Sequence, residues 1–135
     1  MNLVKIFLAV TCLSLAGCAT QTSISGDFGR SVKAYNRMLR WHEIESAGRT
    51  YIDPELRDEF LKQADSLKKR GLSVTDFRII STKYIPESKS GDVTAEFDYY
   101  ILPSNRIKTI FYRQDWVYQE KSKVWQLRSD LAVFE

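Results

Sequence analysis

Two periods divide this chain. Before Gly71 the apolar positions recur every three or four residues, and after it they alternate. Phe28, Val32, Tyr35, Leu39 and His42 fall at spacings of four, three, four and three, one face of a helix beginning at Asp27, with Ser25 or Asp27 as its cap. Trp41 and Ile44 leave that face, which predicts a kink or a second short helix around Arg40 to Glu45, followed by a loop from Gly48 to Ile52. Asp53-Pro54-Glu55 reads as a helix start: an acid at the cap, proline at the first position, and a carboxylate at the positive end of the dipole. Leu56, Phe60, Ala64 and Leu67 make its buried stripe, Lys68-Lys69-Arg70 complements its negative end, and Gly71 stops it.

Alternation then predicts strands over Val74–Ile85, Asp92–Leu102, Arg106–Gln119 and Val124–Leu131. Their connections are short: a loop from Pro86 to Gly91, a turn at Pro103-Ser104-Asn105 and a charged turn at Glu120-Lys121-Ser122-Lys123. Short connections imply an antiparallel meander. Val93, Ala95, Phe97, Tyr99 and Ile101 share one face, placed against the helices. Ile110, Tyr112, Gln114, Trp116 and Tyr118 alternate in the third strand, and Trp125 and Leu127 continue that surface. Helices first and strands afterwards define an α+β domain, with N-terminal helices on a curved antiparallel sheet of about four strands.

The N-terminus changes the picture of where this domain works. Lys5 precedes an apolar run from Ile6 to Leu15, the length of a secretory signal core and too short to span a membrane. Leu15-Ala16-Gly17-Cys18 follows. This stretch resembles the lipobox of bacterial lipoprotein precursors. The resemblance implies acylation of the Cys18 thiol, cleavage before it and acylation of the new N-terminus, which divides the chain into a signal peptide (1–17), a lipidated cysteine with a flexible tether (18–26) and one domain (27–135). Ala19 stands where inner-membrane lipoproteins commonly carry aspartate, so the same resemblance implies the periplasmic face of the outer membrane. Eight tether residues, Ala19 to Gly26, reach at most about 28 Å.

Composition then narrows the chemistry. The two cysteines are Cys12, in the removed segment, and Cys18, consumed by lipid. No thiol remains for a disulfide, a thiolate metal site or a nucleophile. Cleavage takes 17 of the 135 residues and one of the 20 basic groups, leaving 118 residues and a net charge of +2. That balance gives no reason to expect nucleic acid as a partner. Arg30, Lys33, Arg37 and Arg40 fall within about 80° of one another around the first helix. They form either a solvated face or a membrane-facing basic stripe that orients the domain over anionic headgroups.

Two wider resemblances follow from these patterns. The order of helices and meander is similar to the cone-shaped fold of nuclear transport factor 2-like, or cystatin-like, proteins. The stretches from Leu39-Arg40-Trp41 to Glu59-Phe60, and from Asp98-Tyr99-Tyr100 through Gln114-Asp115-Trp116 to Trp125-Gln126-Leu127, resemble small proteobacterial lipoproteins. Enzymes built in such cones, ketosteroid isomerase among them, need a carboxylate or histidine base facing an open pocket. The available groups are His42, Tyr112, Gln114, Asp98 and Asp115. His42, the one histidine, sits at the edge of the apolar helix face as a partly buried packing residue, and alternation puts Asp98 and Asp115 on the solvent side. No catalytic residue, metal site or cofactor is therefore assigned. The expectation is a non-catalytic module, held to the membrane by lipid, that binds a small ligand or an envelope protein. A structural docking lipoprotein is the alternative, and a small-molecule enzyme the third reading. An open pocket lined by Tyr112, Gln114, Trp116 and His42 would favour ligand binding. A filled core with an apolar surface patch would favour docking.

Overall fold

The change of period at Gly71 is the change from helix to sheet. The computed structural model describes residues 23–135. The signal segment, Cys18 and the start of the tether lie outside the described residues. Helix α1 already runs from residue 23 to residue 40, so the last part of the expected tether is helical. The reason is Ile24: it stands four residues before Phe28, extends the buried stripe by one turn, and its carbonyl accepts the Trp125 indole N–H at 3.0 Å. Asp27 is thus inside the helix, where it pairs with Arg30 instead of capping.

The expected break follows α1. His42 adopts a left-handed backbone, φ 63°, and the Glu43 N–H closes back on the Met38 carbonyl at 2.8 Å. Helix α2 spans Ile44–Tyr51, so the loop expected from Gly48 is instead largely helix. Gly48 serves close approach: a Cβ there would lie 2.6 Å from the Phe60 ring. Helix α3 spans Arg57–Lys69 and not from Pro54. Asp53 is drawn to the sheet, its N–H donating to the Leu127 carbonyl at 3.0 Å and its carboxylate pairing with Arg128 at 3.3 Å. Residues 54–56 form a turn closed by the Leu56 N–H on the Asp53 carbonyl, and the Asp53 carboxylate caps it as expected, accepting the Glu55 N–H at 3.0 Å. Phe60, Ala64 and Leu67 are buried as the pattern requires, and Gly71 takes a left-handed φ of 79° beyond the helix.

Four antiparallel strands follow in meander order: β1 (Leu72–Ile85), β2 (Ser90–Ile101), β3 (Lys108–Gln119) and β4 (Val124–Leu127). Register shifts after Val74 and Ile79 in β1 mark bulges, which bend that strand. The sheet is curved and unclosed, and the helices lie on its inner face. Val93, Ala95, Phe97 and Tyr99 are buried there, with Tyr112, Gln114, Trp116, Trp125 and Leu127 beside them. Phe28 fills the hollow over Gly91, where a Cβ would come within 2.3 Å of its ring.

Strand β4 ends at Leu127, four residues short of its expected end. The cause is local. The Asp115 N–H is taken by the Ser129 hydroxyl at 2.7 Å instead of by a strand carbonyl. The Asp130 carbonyl turns to accept from the Tyr112 hydroxyl at 2.8 Å. The chain leaves the ladder and buries Leu131, Ala132 and Phe134 against the sheet, Phe134 meeting Tyr99 edge-on at 4.9 Å.

Candidate functional site

The inner face of the sheet is where the sequence places a pocket, and the structure fills it. Tyr112, Gln114 and Trp116 do share that face, but α1 lays Tyr35 and Asn36 directly onto them. Asn36 and Gln114, each 0% exposed, bond reciprocally: the Gln114 amide donates to Asn36 Oδ1 at 2.7 Å, and the Asn36 amide donates to Gln114 Oε1 at 3.3 Å. The Trp116 indole N–H donates to the same Gln114 oxygen at 3.2 Å, and Asn36 also donates to the Val32 carbonyl. Beside them the Tyr35 and Tyr112 hydroxyls stand 3.0 Å apart. Since Tyr112 spends its proton on the Asp130 carbonyl, Tyr35 is the donor to Tyr112.

Burial raises the pKa of Tyr35 well above the tyrosine value, with its neighbour Tyr112 adding to the effect. Tyr112 is likewise raised, chiefly by burial, against a smaller lowering by the Tyr35 bond. Both remain neutral phenols. The cluster is a set of neutral donors and acceptors satisfied by one another, as buried polar groups require. Asn36 is the member that the helical reading missed. Its place four residues after Val32, on the buried side of α1, was the available signal.

His42 lies away from this cluster. The packing role expected of it is corrected: its left-handed turn lifts the ring into solvent, where Nε2 stands 3.3 Å from the Ser73 hydroxyl. There it borders a cleft of about 470 Å³ between the α1–α2 turn, α3 and the start of β1. Ile44, Ala64, Leu72 and Val74 supply apolar walls, while Glu43, Glu45 and Lys68 stand among its polar groups. Lys68 and Glu45 approach within 3.9 Å. The cleft offers an apolar hollow with charges of both signs, dimensions suited to a small amphipathic molecule.

The basic stripe is only partly preserved. Arg30, Lys33 and Arg37 are exposed. Arg40 turns inward, donating to the Val74 carbonyl at 3.0 Å with its guanidinium 4.8 Å from the centre of the Trp41 ring. On the outer face of the sheet, Asp98 and Asp115 point away from the core as expected. Asp98 accepts from Thr109 at 2.6 Å and, with Glu96 and Asp76, surrounds Arg78. Phe111, 67% exposed, stands on this face directly across from Glu96.

The fold defines the class: an α+β domain whose helices precede and cover one face of a four-stranded antiparallel meander. No protein-family model matches the chain. No curated protein matches it. Among solved structures, it is similar to the intermembrane-space region of the chloroplast protein ARC6, with 13% identity over 73% of this chain and 92% of that chain, and a TM-score of 0.49.

Proposed function

We propose that this chain is an envelope lipoprotein with a nuclear transport factor 2-like domain, tethered through Cys18 to the periplasmic face of the outer membrane and working by docking a protein partner. The observation that carries this reading is the exchange between inside and outside. The polar groups of the Asn36–Gln114 cluster satisfy one another and leave no pocket there, while Phe111 stands exposed among charged neighbours on the outer face of the sheet. Aromatic side chains, Phe among them, are enriched at protein interfaces over the rest of the surface. The partner this face fits carries an apolar pocket for Phe111, with an acidic group beside it that meets the exposed Arg113.

The anchor and the docking face are tested separately. Mass spectrometry of membrane-extracted protein should find an acylated Cys18 as the first residue, and Cys18→Ala should move the protein out of the membrane fraction. An unmodified N-terminus elsewhere refutes the anchor. A photoreactive residue at position 111 should give one discrete protein adduct in cells, lost on Arg113→Ala, whereas the same residue at position 105 should give none. Equal labelling from both positions refutes the docking face.

The cleft beside His42 favours a second reading, small-ligand binding. A non-glycine residue held left-handed at the mouth of a cleft is backbone strain of the kind that gathers at ligand sites. Ligand-induced shifts confined to His42, Ser73 and Lys68 in an amide and side-chain NMR screen would support it.

A further inference from the structure

The start of α1 decides which end of the domain lies nearest a lipid on Cys18. Four residues separate Cys18 from residue 23, and the five steps between them reach at most about 18 Å. Residue 24 is fastened to β4 by the Trp125 indole. The end of the sheet at which α1 begins is therefore the end nearest the anchor, and two turns project there. One joins β1 to β2 after the Ile85–Ser90 pair, and the other joins β3 to β4 after the Gln119–Val124 pair. They are tied together: the Tyr118 N–H donates to the Lys89 carbonyl at 2.9 Å, and Lys89 pairs with Glu120.

This end carries both signs with a small basic excess: Lys89 and Glu120 cancel, and three further lysines stand against two exposed acids, Glu87 and Asp92. Lys83, Lys121 and Lys123 are exposed and enter no ion pair among the described residues. Lys89 and Lys123 close their turns with left-handed backbones, φ 45° and φ 55°. Glycine or asparagine fits that conformation more easily, so both turns carry a lysine where the backbone alone asks for something smaller. Between the second turn and α1 lies a recess of about 370 Å³, lined by Arg30, Ser31, Thr50, Lys123 and Val124. It brings two cations and three hydroxyls, those of Ser31, Thr50 and Tyr51, to one hollow; its single carboxylate, Asp27, pairs with Arg30, and Thr50 donates its proton to the Ser46 carbonyl at 2.8 Å. Val124 is 42% exposed at its edge.

We propose that this end of the domain rests on anionic lipid headgroups, with the recess between Arg30 and Lys123 receiving a lipid phosphate. The proposal rests on the lipid-anchor reading above, and it moves the membrane contact away from the α1 stripe. Arg40 is occupied by the Val74 carbonyl, whereas the turn lysines stand at the anchored end. Phosphate suits the recess because its oxygens accept from the Lys123 ammonium, the Ser31 hydroxyl and the Arg30 N–H groups not spent on Asp27. The contact sets the orientation of the domain, leaving the His42 cleft at the far end of α1.

The experiment uses the full chain, processed in a bacterial host and reconstituted into vesicles of phosphatidylcholine alone or mixed with phosphatidylglycerol. A fluorophore is placed through Ser122→Cys or Asn105→Cys, and a headgroup nitroxide reports contact by quenching. The N-terminal peptide mass, taken on the same sample, tests the anchor independently. Quenching at position 122 should be stronger in anionic than in neutral vesicles, fade with salt, and remain low at position 105 in both. Replacing Arg30→Gln and Lys123→Gln should lower the ratio of headgroup-bound to unbound domain about five-fold per charge removed, with the melting temperature unchanged. Quenching indifferent to lipid charge, or to these two substitutions, overturns the proposal even with Cys18 acylated. A comparable response of the position-122 fluorophore to inorganic phosphate alone overturns it in favour of a soluble anion.

Discussion

The reciprocal amide pair in the core makes a quantitative prediction. Gln114→Met keeps the side-chain volume but strips three hydrogen bonds. Asn36 Oδ1 and the Trp116 indole N–H lose their partners outright, whereas the Asn36 amide keeps the Val32 carbonyl. Each buried group left unsatisfied costs about 1–3 kcal/mol, so this substitution should cost about 2–6 kcal/mol. Asn36→Leu leaves only the Gln114 amide without its partner and should cost about 1–3 kcal/mol. In the double variant the orphan that remains is the Trp116 N–H, again about 1–3 kcal/mol. The singles together should therefore exceed the double by about 2–6 kcal/mol, a coupling large enough to read from urea or guanidinium midpoints at constant slope. Additive losses, with no coupling beyond error, would refute the bonded pair.

Two further outcomes follow from the same face. Gly91→Ala should cost about 1–3 kcal/mol, because its Cβ would stand 2.3 Å from the Phe28 ring, and Phe28→Leu should recover part of that loss in denaturation midpoints. An undiminished loss in the Phe28→Leu background would mean that the two do not meet. The raised pKa values of Tyr35 and Tyr112 predict alkaline instability. Below 10.0, the ordinary tyrosine value, both states hold the phenolic protons; above it the unfolded chain releases them first, so stability falls as pH rises toward the folded values. Tyr35→Phe should make the fall above pH 10.0 less steep, and an unchanged alkaline slope in thermal melts would contradict the burial of that hydroxyl.

The elements most legible in the sequence were those whose burial is strictly periodic. Val93, Ala95, Phe97 and Tyr99 alternate without interruption, and the buried face of β2 was read correctly from them alone. Phe60, Ala64 and Leu67 did the same for α3. The misreadings fall where one residue answers to a distant partner. Gly48 looks like a loop residue until Phe60 is seen against it. Asp53 does cap, its carboxylate accepting the Glu55 N–H at 3.0 Å, but Leu127 and Arg128 also hold it and α3 begins only at Arg57. Leu131 continues the alternation of β4 in sequence, yet Ser129 and Tyr112 redirect the chain before it. The candidate site was harder still. Tyr112, Gln114 and Trp116 were placed together correctly, but whether they line a pocket or fill one depends on Tyr35 and Asn36 arriving from some eighty positions away. His42 was misplaced because its periodic position in the helix says nothing of a left-handed turn that ends the helix beneath it.

The bond from the Trp125 indole to the Ile24 carbonyl has a mechanical consequence. Any tension on the chain before residue 23 enters the domain at the first turn of α1, and that turn is held against the sheet by this bond and by Phe28, whose ring lies 4.7 Å from that of Trp125. A load applied there peels the helix from its end, so it bears on these few contacts in succession and not on the whole helix at once. Seated over Gly91, the Phe28 ring acts as a wedge that must withdraw before the next turn can lift. The domain meets a pull from its tether with its most tightly fitted aromatic cluster.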